Sequence, residues 1–303
     1  MGVATEPKPL TAPLPGGRAG ATVKLHPLLA GEMLAPPCYL DRHPGKLGLA
    51  RDVGATLFSR RSRWTWLPIP MFLVEHPSAG PIMIDTGFHP SVVAGVRPNM
   101  GPLSPVLYRV RITREQTLAA QLEARGIAIG DVKTVVMTHL HIDHASGISE
   151  LPGATFLVDR REWAAAGARG GLFNGYVRRQ FDHAFDWRTI DYDAPEIDSF
   201  APFGQSVDLL GDGSLRLLST PGHTRGHQSV LLRLAGREAL LTADASFTRR
   251  TLAGEAMPLV LDDTHRFRRS LHEIQHYLRL APDALVIPGH DAEAWAELQP
   301  VYG

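Results

Sequence analysis

Within the run His139-Leu140-His141-Ile142-Asp143-His144, four side chains carry an imidazole nitrogen or a carboxylate oxygen, and the apolar Val135-Val136-Met137 leads into them. Imidazole and carboxylate suit zinc, and also manganese, iron or cobalt; zinc is the default. In extended backbone alternate residues share a face, so His139, His141 and Asp143 converge while His144 aims elsewhere. One stretch can therefore serve two adjacent ions. With fourteen histidines in the chain some clusters are inevitable, and a lone histidine is ordinarily a surface or hydrogen-bonded core residue. Four ligand groups at this spacing are far more specific.

A strand has to deliver such groups, and Thr134–Met137 reads as a buried one that stops at the cluster. The same order of strand, sharp turn and metal-capable side chain recurs downstream. Leu215–Thr220 breaks at Pro221-Gly222-His223. Ser229–Leu234 and Glu238–Thr242 flank the hairpin turn Ala235-Gly236-Arg237, and the second runs into Ala243-Asp244. A helix from about His265 to Leu280 precedes the apolar strand Ala284–Ile287, which stops at Pro288-Gly289-His290-Asp291.

Upstream, Ile69–Glu75 and Pro81–Gly87 flank Pro77-Ser78-Ala79-Gly80 as a hairpin, and Asp85 ends its second strand. That carboxylate either orients a ligand histidine or caps the following turn. Thr113-x-x-Gln116 is a capping box opening a helix through Leu118, Ala119 and Leu122 to Gly126. A strand at Ala154–Val158 and a helical start at Arg161–Ala166 follow the cluster. From Val23 to about Leu57, interrupted by Pro27, Pro36, Pro37 and Pro44, the pattern predicts a strand and then irregular structure. Residues 1–20, rich in proline and glycine and without the apolar stretch of a signal peptide, read as a disordered tail. Residues 21–303 read as a single domain. Within it about 163–203, with Phe173, Tyr176, Phe181, Phe185, Trp187 and Tyr192, reads as a lid or substrate wall, or else as an ordinary packed subdomain.

Composition narrows the function. Thirty-one basic residues balance thirty-one acidic ones, which leaves no global field for nucleic acid or an anionic membrane. Arg60-Arg61-Ser62-Arg63 is explained by a solvated loop. No apolar run approaches the ~20 residues that span a bilayer. Cys38 stands alone, cannot form an intramolecular disulfide and fits a reducing, cytoplasmic setting. A homodimer is the oligomeric option.

Taken together, the run His139–His144, then His223 in Thr220-Pro221-Gly222-His223-Thr224, Asp244, and His290 in Pro288-Gly289-His290 resemble the ligand set of the metallo-β-lactamase superfamily from about Met71 to Asp291. Within it the likeness is to the quorum-quenching N-acyl homoserine lactonases. It rests on Thr220–Ser229, Leu240–Ser246, Arg161-Glu162-Trp163 and Pro288–Asp291. The resemblance implies an α+β fold, an αββα four-layer sandwich with a binuclear metal site at the edge between its two sheets. It implies that His139, His141 and His223 hold one Zn2+, that Asp143, His144 and His290 hold a second, and that Asp244 bridges them. The activity implied is opening of a lactone ring by a zinc-bridging hydroxide, with Asp143 as the catalytic group that passes a proton to the leaving oxygen.

One departure stands out. Those lactonases place a tyrosine three positions after the bridging aspartate, where this chain has Phe247, which lacks a hydrogen-bond donor. Tyr176 or His183 could supply the missing contact, zinc alone could polarise the carbonyl, or the substrate differs. Such a donor is typically worth about 2.7–4 kcal/mol in the transition state. The competing readings are a glyoxalase II-like thioester hydrolase, another ester hydrolase of the superfamily, and a non-catalytic zinc-binding module. A β-lactamase characteristically lacks the bridging aspartate, and a nuclease would need a phosphate-binding surface.

His272-Glu273-Ile274-Gln275-His276 also matches the H-E-x-x-H signature of zinc peptidases. Phe267, Leu271, Ile274 and Leu278, however, mark the apolar face of that helix, which puts His272 and His276 on the solvent side.

Overall fold

The computed structural model describes residues 5–43, 45–102, 104 and 109–303; Pro44, named above as a breaker, and the side chains of Leu57 and Phe173 lie outside what is described. One sheet is built from β1 (Lys8–Pro9), β2 (Lys24–Ala35), β3 (Thr65–His76), β4 (Gly80–Ile84), β5 (Val110–Arg111), β6 (Thr134–Val136), β7 (Thr155–Asp159) and β8 (Asp186–Ile190). Its spatial order is β1-β8-β7-β6-β4-β3-β2-β5. The second holds β9 (Asp198–Phe200), β10 (Phe203–Asp208), β11 (Leu215–Ser219), β12 (Gln228–Arg233), β13 (Glu238–Ala243) and β14 (Leu285–Pro288), ordered β14-β13-β12-β11-β10-β9.

Two-residue alternation explains why the sheets stack in four layers. Phe72, Val74, Val136 and Leu157 from the first sheet meet Leu217, Val230, Leu232 and Leu241 from the second in one buried core. Their neighbours Met71, Leu73, Val135 and Phe156 point the opposite way, onto Leu118, Leu122 and Trp163 of the outer helices. On the far side Leu218, Leu231 and Leu240 pack against Ile274 and Tyr277 of the helix Thr264–Leu280. Sheets apolar on both faces need a cover on each, and the result is the αββα sandwich.

The structure departs from the sequence-based elements in two places. Residues 5–20 are not a disordered tail. β1 pairs in parallel with β8, the Leu10 and Leu14 N–H groups donate to Thr189 O at 2.8 Å and Leu209 O at 2.7 Å, and both leucines pack on the inter-sheet core. Proline is compatible with such an edge, where no ladder donor is required of it. Deleting residues 1–16 should therefore lower the unfolding free energy by about 2 kcal/mol; an unchanged urea midpoint would refute the docking. Second, the region read as irregular holds the helix Gly45–Phe58. Residues 163–203 pack into the fold, the second of the two readings offered for them, with Trp163, Phe181, Trp187 and Tyr192 buried, while Leu172 and Tyr176 of the same segment line clefts. Among the described residues no helix is long and apolar enough to cross a membrane.

Candidate metal centre

The strand ends expected to deliver ligands arrive at one edge of the sandwich. β6 runs into His139, His141, Asp143 and His144; the turn after β11 presents His223; β13 ends before Asp244 and β14 before His290. All seven side chains are buried. Three groups are each tight enough for an ion: His139 with His141 and His223, Asp143 with His144 and His290, and, between these two, His139 with His144 and Asp244.

Asp244 lies across the first two. Its Oδ2 is 3.1 Å from His223 Nε2 and 3.9 Å from His139 Nε2, whereas its Oδ1 is 3.2 Å from His290 Nε2 and 3.4 Å from His144 Nε2. The Asp143 Oδ2 is 3.6 Å from both His144 Nε2 and His290 Nε2. His139 Nε2, His144 Nε2, His290 Nε2, Asp143 Oδ2 and Asp244 Oδ1 are buried without a hydrogen-bond partner. Orphaned polar atoms are costly in a core, so their shared orientation toward one centre matches what divalent ions require.

The other ring nitrogens are occupied. Asp85, at the end of β4, accepts from Thr138 N–H at 2.8 Å, from Thr138 Oγ1 at 2.8 Å and from His144 Nδ1 at 2.7 Å. It thus orients a histidine, one of the two roles expected of it, and its bonds to Thr138 tie down the neighbouring loop after β6 rather than the turn after β4. Thr138 Oγ1, having donated to Asp85, can accept from His139 Nδ1 at 3.1 Å. His223 Nδ1 donates to Val260 O and His290 Nδ1 to Pro68 O, each at 3.0 Å. Such partners fix tautomer and ring orientation.

Burial, the largest cause, drives His141 down to about 4 and holds His139 and His223 well below their usual range, so these imidazoles stay neutral and able to ligate. At His144 and His290 burial is outweighed by the carboxylates, Asp143 and Asp85 at the first and Asp244 and Asp143 at the second, and both are raised. For Asp244 burial would raise the pKa, but His290, His223 and His144 hold it well below the carboxylate range. A metal entering this cluster displaces protons.

Two clefts open on the centre. One of about 310 Å3 is walled by Met33, Leu34, Trp64, Ile142, Asp143 and Leu172 and is mainly apolar. The other, about 860 Å3, runs past His141, Tyr176 and His223 to Arg161, Arg169 and Arg225. Tyr176 thus reaches the site, its ring 5.0 Å from that of His141. His183 does not, because it stacks on Phe185 at 5.0 Å in neither cleft wall. Phe247 is fully buried between His223, His290 and Tyr39, with ring centroids at 5.3, 5.2 and 5.6 Å. It packs the centre from behind and is absent from both cleft walls, so neither it nor His183 is placed as a substrate contact.

Sequence reasoning passed over two buried residues. His227 Nε2 accepts the Asp244 N–H at 3.0 Å, and Glu162 takes the N–H groups of Leu140 and Gly226. Both stand inside stretches that carried the resemblance, Thr220–Ser229 and Arg161-Glu162-Trp163, which was the available signal. The H-E-x-x-H pair is elsewhere, with His272 and His276 exposed while Phe267, Leu271 and Ile274 are buried. Replacing both histidines by alanine should leave metal content unchanged and stability within about 0.5 kcal/mol. Loss of bound metal from that double variant would contradict the assignment.

The metallo-β-lactamase superfamily profile matches residues 64–290. The N-acyl homoserine lactonase AttM of Agrobacterium fabrum is 36% identical over 236 residues, 77% of this chain and 85% of the relative. Among solved structures, an N-acyl homoserine lactone hydrolase with the product N-hexanoyl-L-homoserine bound at its catalytic metal centre superposes with a TM-score of 0.72 at 24% identity, covering 93% of this chain and all of the other. The dizinc quorum-quenching lactonase AidC gives 0.58 at 15% identity, over 92% and 90% of the two chains.

Proposed function

Starting from the premise that the chain belongs to the metallo-β-lactamase superfamily and is a metal-dependent hydrolase of lactone and ester bonds, we propose that its substrates are N-acyl homoserine lactones and that its metal pair is zinc. The observation that carries this reading is the set of unpaired buried nitrogens and oxygens gathered on both sides of Asp244. In this reading His139, His141 and His223 would hold one ion and Asp143, His144 and His290 the other, with Asp244 available to both. Bound there, divalent ions supply Lewis-acid polarisation of an ester carbonyl and lower the pKa of water to about 7.

The chain's own residues do the rest. Ring opening breaks the bond between the carbonyl carbon and the ring oxygen, adds hydroxyl to that carbon and needs a proton on the departing oxygen. Asp143 lies in the wall of the smaller cleft beside the ligand cluster, where a carboxylate can take up that proton and pass it on. Met33, Leu34, Trp64 and Leu172 offer the apolar surface that an acyl chain would bury. Asp85 and Thr138 keep His144 and His139 turned toward the centre.

The test is a panel of short- and long-chain N-acyl homoserine lactones, plain γ- and δ-lactones, a glutathione thioester and a cephalosporin, with metal assayed on the same preparation. Preferred opening of the acyl homoserine lactones at two zincs per chain supports the proposal. Preference for thioesters or plain lactones rejects the substrate, and inertness toward every compound rejects the hydrolase reading. Stripping the metal with a chelator should lower the rate by about a thousandfold, and zinc should restore it.

A further inference from the structure

Glu162 is fully buried, lies in neither cleft wall and takes no part in the chemistry above. It sits in the first turn of the helix Arg160–Gly167, whose N-cap Asp159 accepts from Arg161 N–H. Its Oε1 accepts the Leu140 N–H at 3.0 Å and its Oε2 the Gly226 N–H at 3.1 Å. Leu140 lies between His139 and His141, and Gly226 lies between His223 and His227. The Thr224 hydroxyl and the Tyr176 phenol lie beside the same carboxylate, and the Tyr176 ring packs on His141.

We infer that Glu162 is a positioning residue that clamps the loop carrying His139 and His141 to the loop carrying His223, and so sets the geometry of one of the two metal positions. This rests on the ligand assignment proposed above. Both carboxylate oxygens are used by backbone donors, one from each loop, so a single rigidly buried side chain ties the two loops together. Gly226 shows how close the approach is. A Cβ there would sit 2.4 Å from Glu162 N and 2.7 Å from Glu162 Cβ, so no other residue lets that loop reach the helix. The second position is held otherwise, through Asp85 on His144 and the Pro68 carbonyl on His290. Burial pushes the Glu162 carboxyl up to about 7 against the pull of its donors.

The experiment compares the full-length wild type with Glu162→Ala and Glu162→Gln by chelator competition, metal stoichiometry and steady-state kinetics. Glu162→Ala should lose one ion selectively, that ion's affinity falling about 10–100-fold while the other is retained. Its kcat should drop with KM changed less than about threefold, since no cleft wall is altered. Glu162→Gln keeps one carbonyl acceptor and should fall between; it carries the test if the alanine variant does not fold. Wild-type affinity for both ions in the variants overturns the inference, as does equal weakening of both in step with thermal stability, the signature of a merely structural role. A wild type that binds no metal pair would instead reject the ligand assignment beneath it.

Discussion

Replacing Asp244 by asparagine is expected to lower kcat/KM for lactone opening by about a thousandfold, close to 4 kcal/mol of transition-state stabilisation, and to reduce bound metal from two ions to one or none. The argument is geometric. One oxygen of Asp244 faces His223 and His139, the other His290 and His144. Asparagine keeps a single oxygen and turns the other arm into a pure donor, whose hydrogens would point at a position meant for a cation. It also removes a negative charge that His290, His223 and His144 stabilise. The backbone would hold the new side chain in place, because Ala243 has a positive φ of 43° and the Asp244 N–H is tied to His227 Nε2. Misplacement is therefore a poor alternative explanation for the loss. Metal assay and kinetics on one preparation decide it, and a variant with both ions and wild-type turnover would remove Asp244 from its proposed place.

Most of the centre could be read before any coordinates because each ligand ends a strand. An apolar run broken by a turn and a histidine or aspartate is visible within ten residues, and it occurs at β6, β11, β13 and β14. The groups that support the ligands have no such local mark. Glu162 stands in the first turn of a helix, where an acidic residue is ordinarily solvated and favours the helix dipole. Its partners are 22 and 64 positions away, so only the fold reveals it. The helix Gly45–Phe58 was obscured by its own glycines, Gly45, Gly48 and Gly54, which lower helix propensity; the bonds of Asp52 with His43 and of Thr56 with Cys38 tie it to the preceding segment. Leu10 and Leu14 stand alone among prolines in the sequence; their role depends on β8 and on the Leu209 carbonyl far along the chain. Phe247 shows a different limit. Aligned motifs marked the position but could not show that its ring lies behind His223 and His290 rather than in a cleft.

The turn Pro221-Gly222-His223 allows a sharper test of how backbone geometry serves the metal centre, through Gly222→Ala. Gly222 has a φ of +136°, and its carbonyl accepts the Asp263 N–H at 3.0 Å at the start of the helix Thr264–Leu280. An added Cβ would lie 2.1 Å from Phe267 N, 2.3 Å from Phe267 Cα and 2.8 Å from Arg266 C. These are backbone atoms of a helix anchored by the fully buried Phe267, so they cannot step aside as a flexible side chain would. Strain at the dihedral and overpacking together should cost about 4 kcal/mol. The turn would relieve that clash by moving away from the helix, carrying His223 out of reach of His139, His141 and Asp244. Gly236→Ala supplies the comparison, since Gly236 has a similar positive φ of 90° but nothing within 4 Å of the added carbon. It should cost only the dihedral strain, about 1 kcal/mol, and leave metal content intact. Urea unfolding and metal assays on the two variants separate the effects: if Gly222→Ala is no worse than Gly236→Ala, contact with the helix does not hold His223 in place.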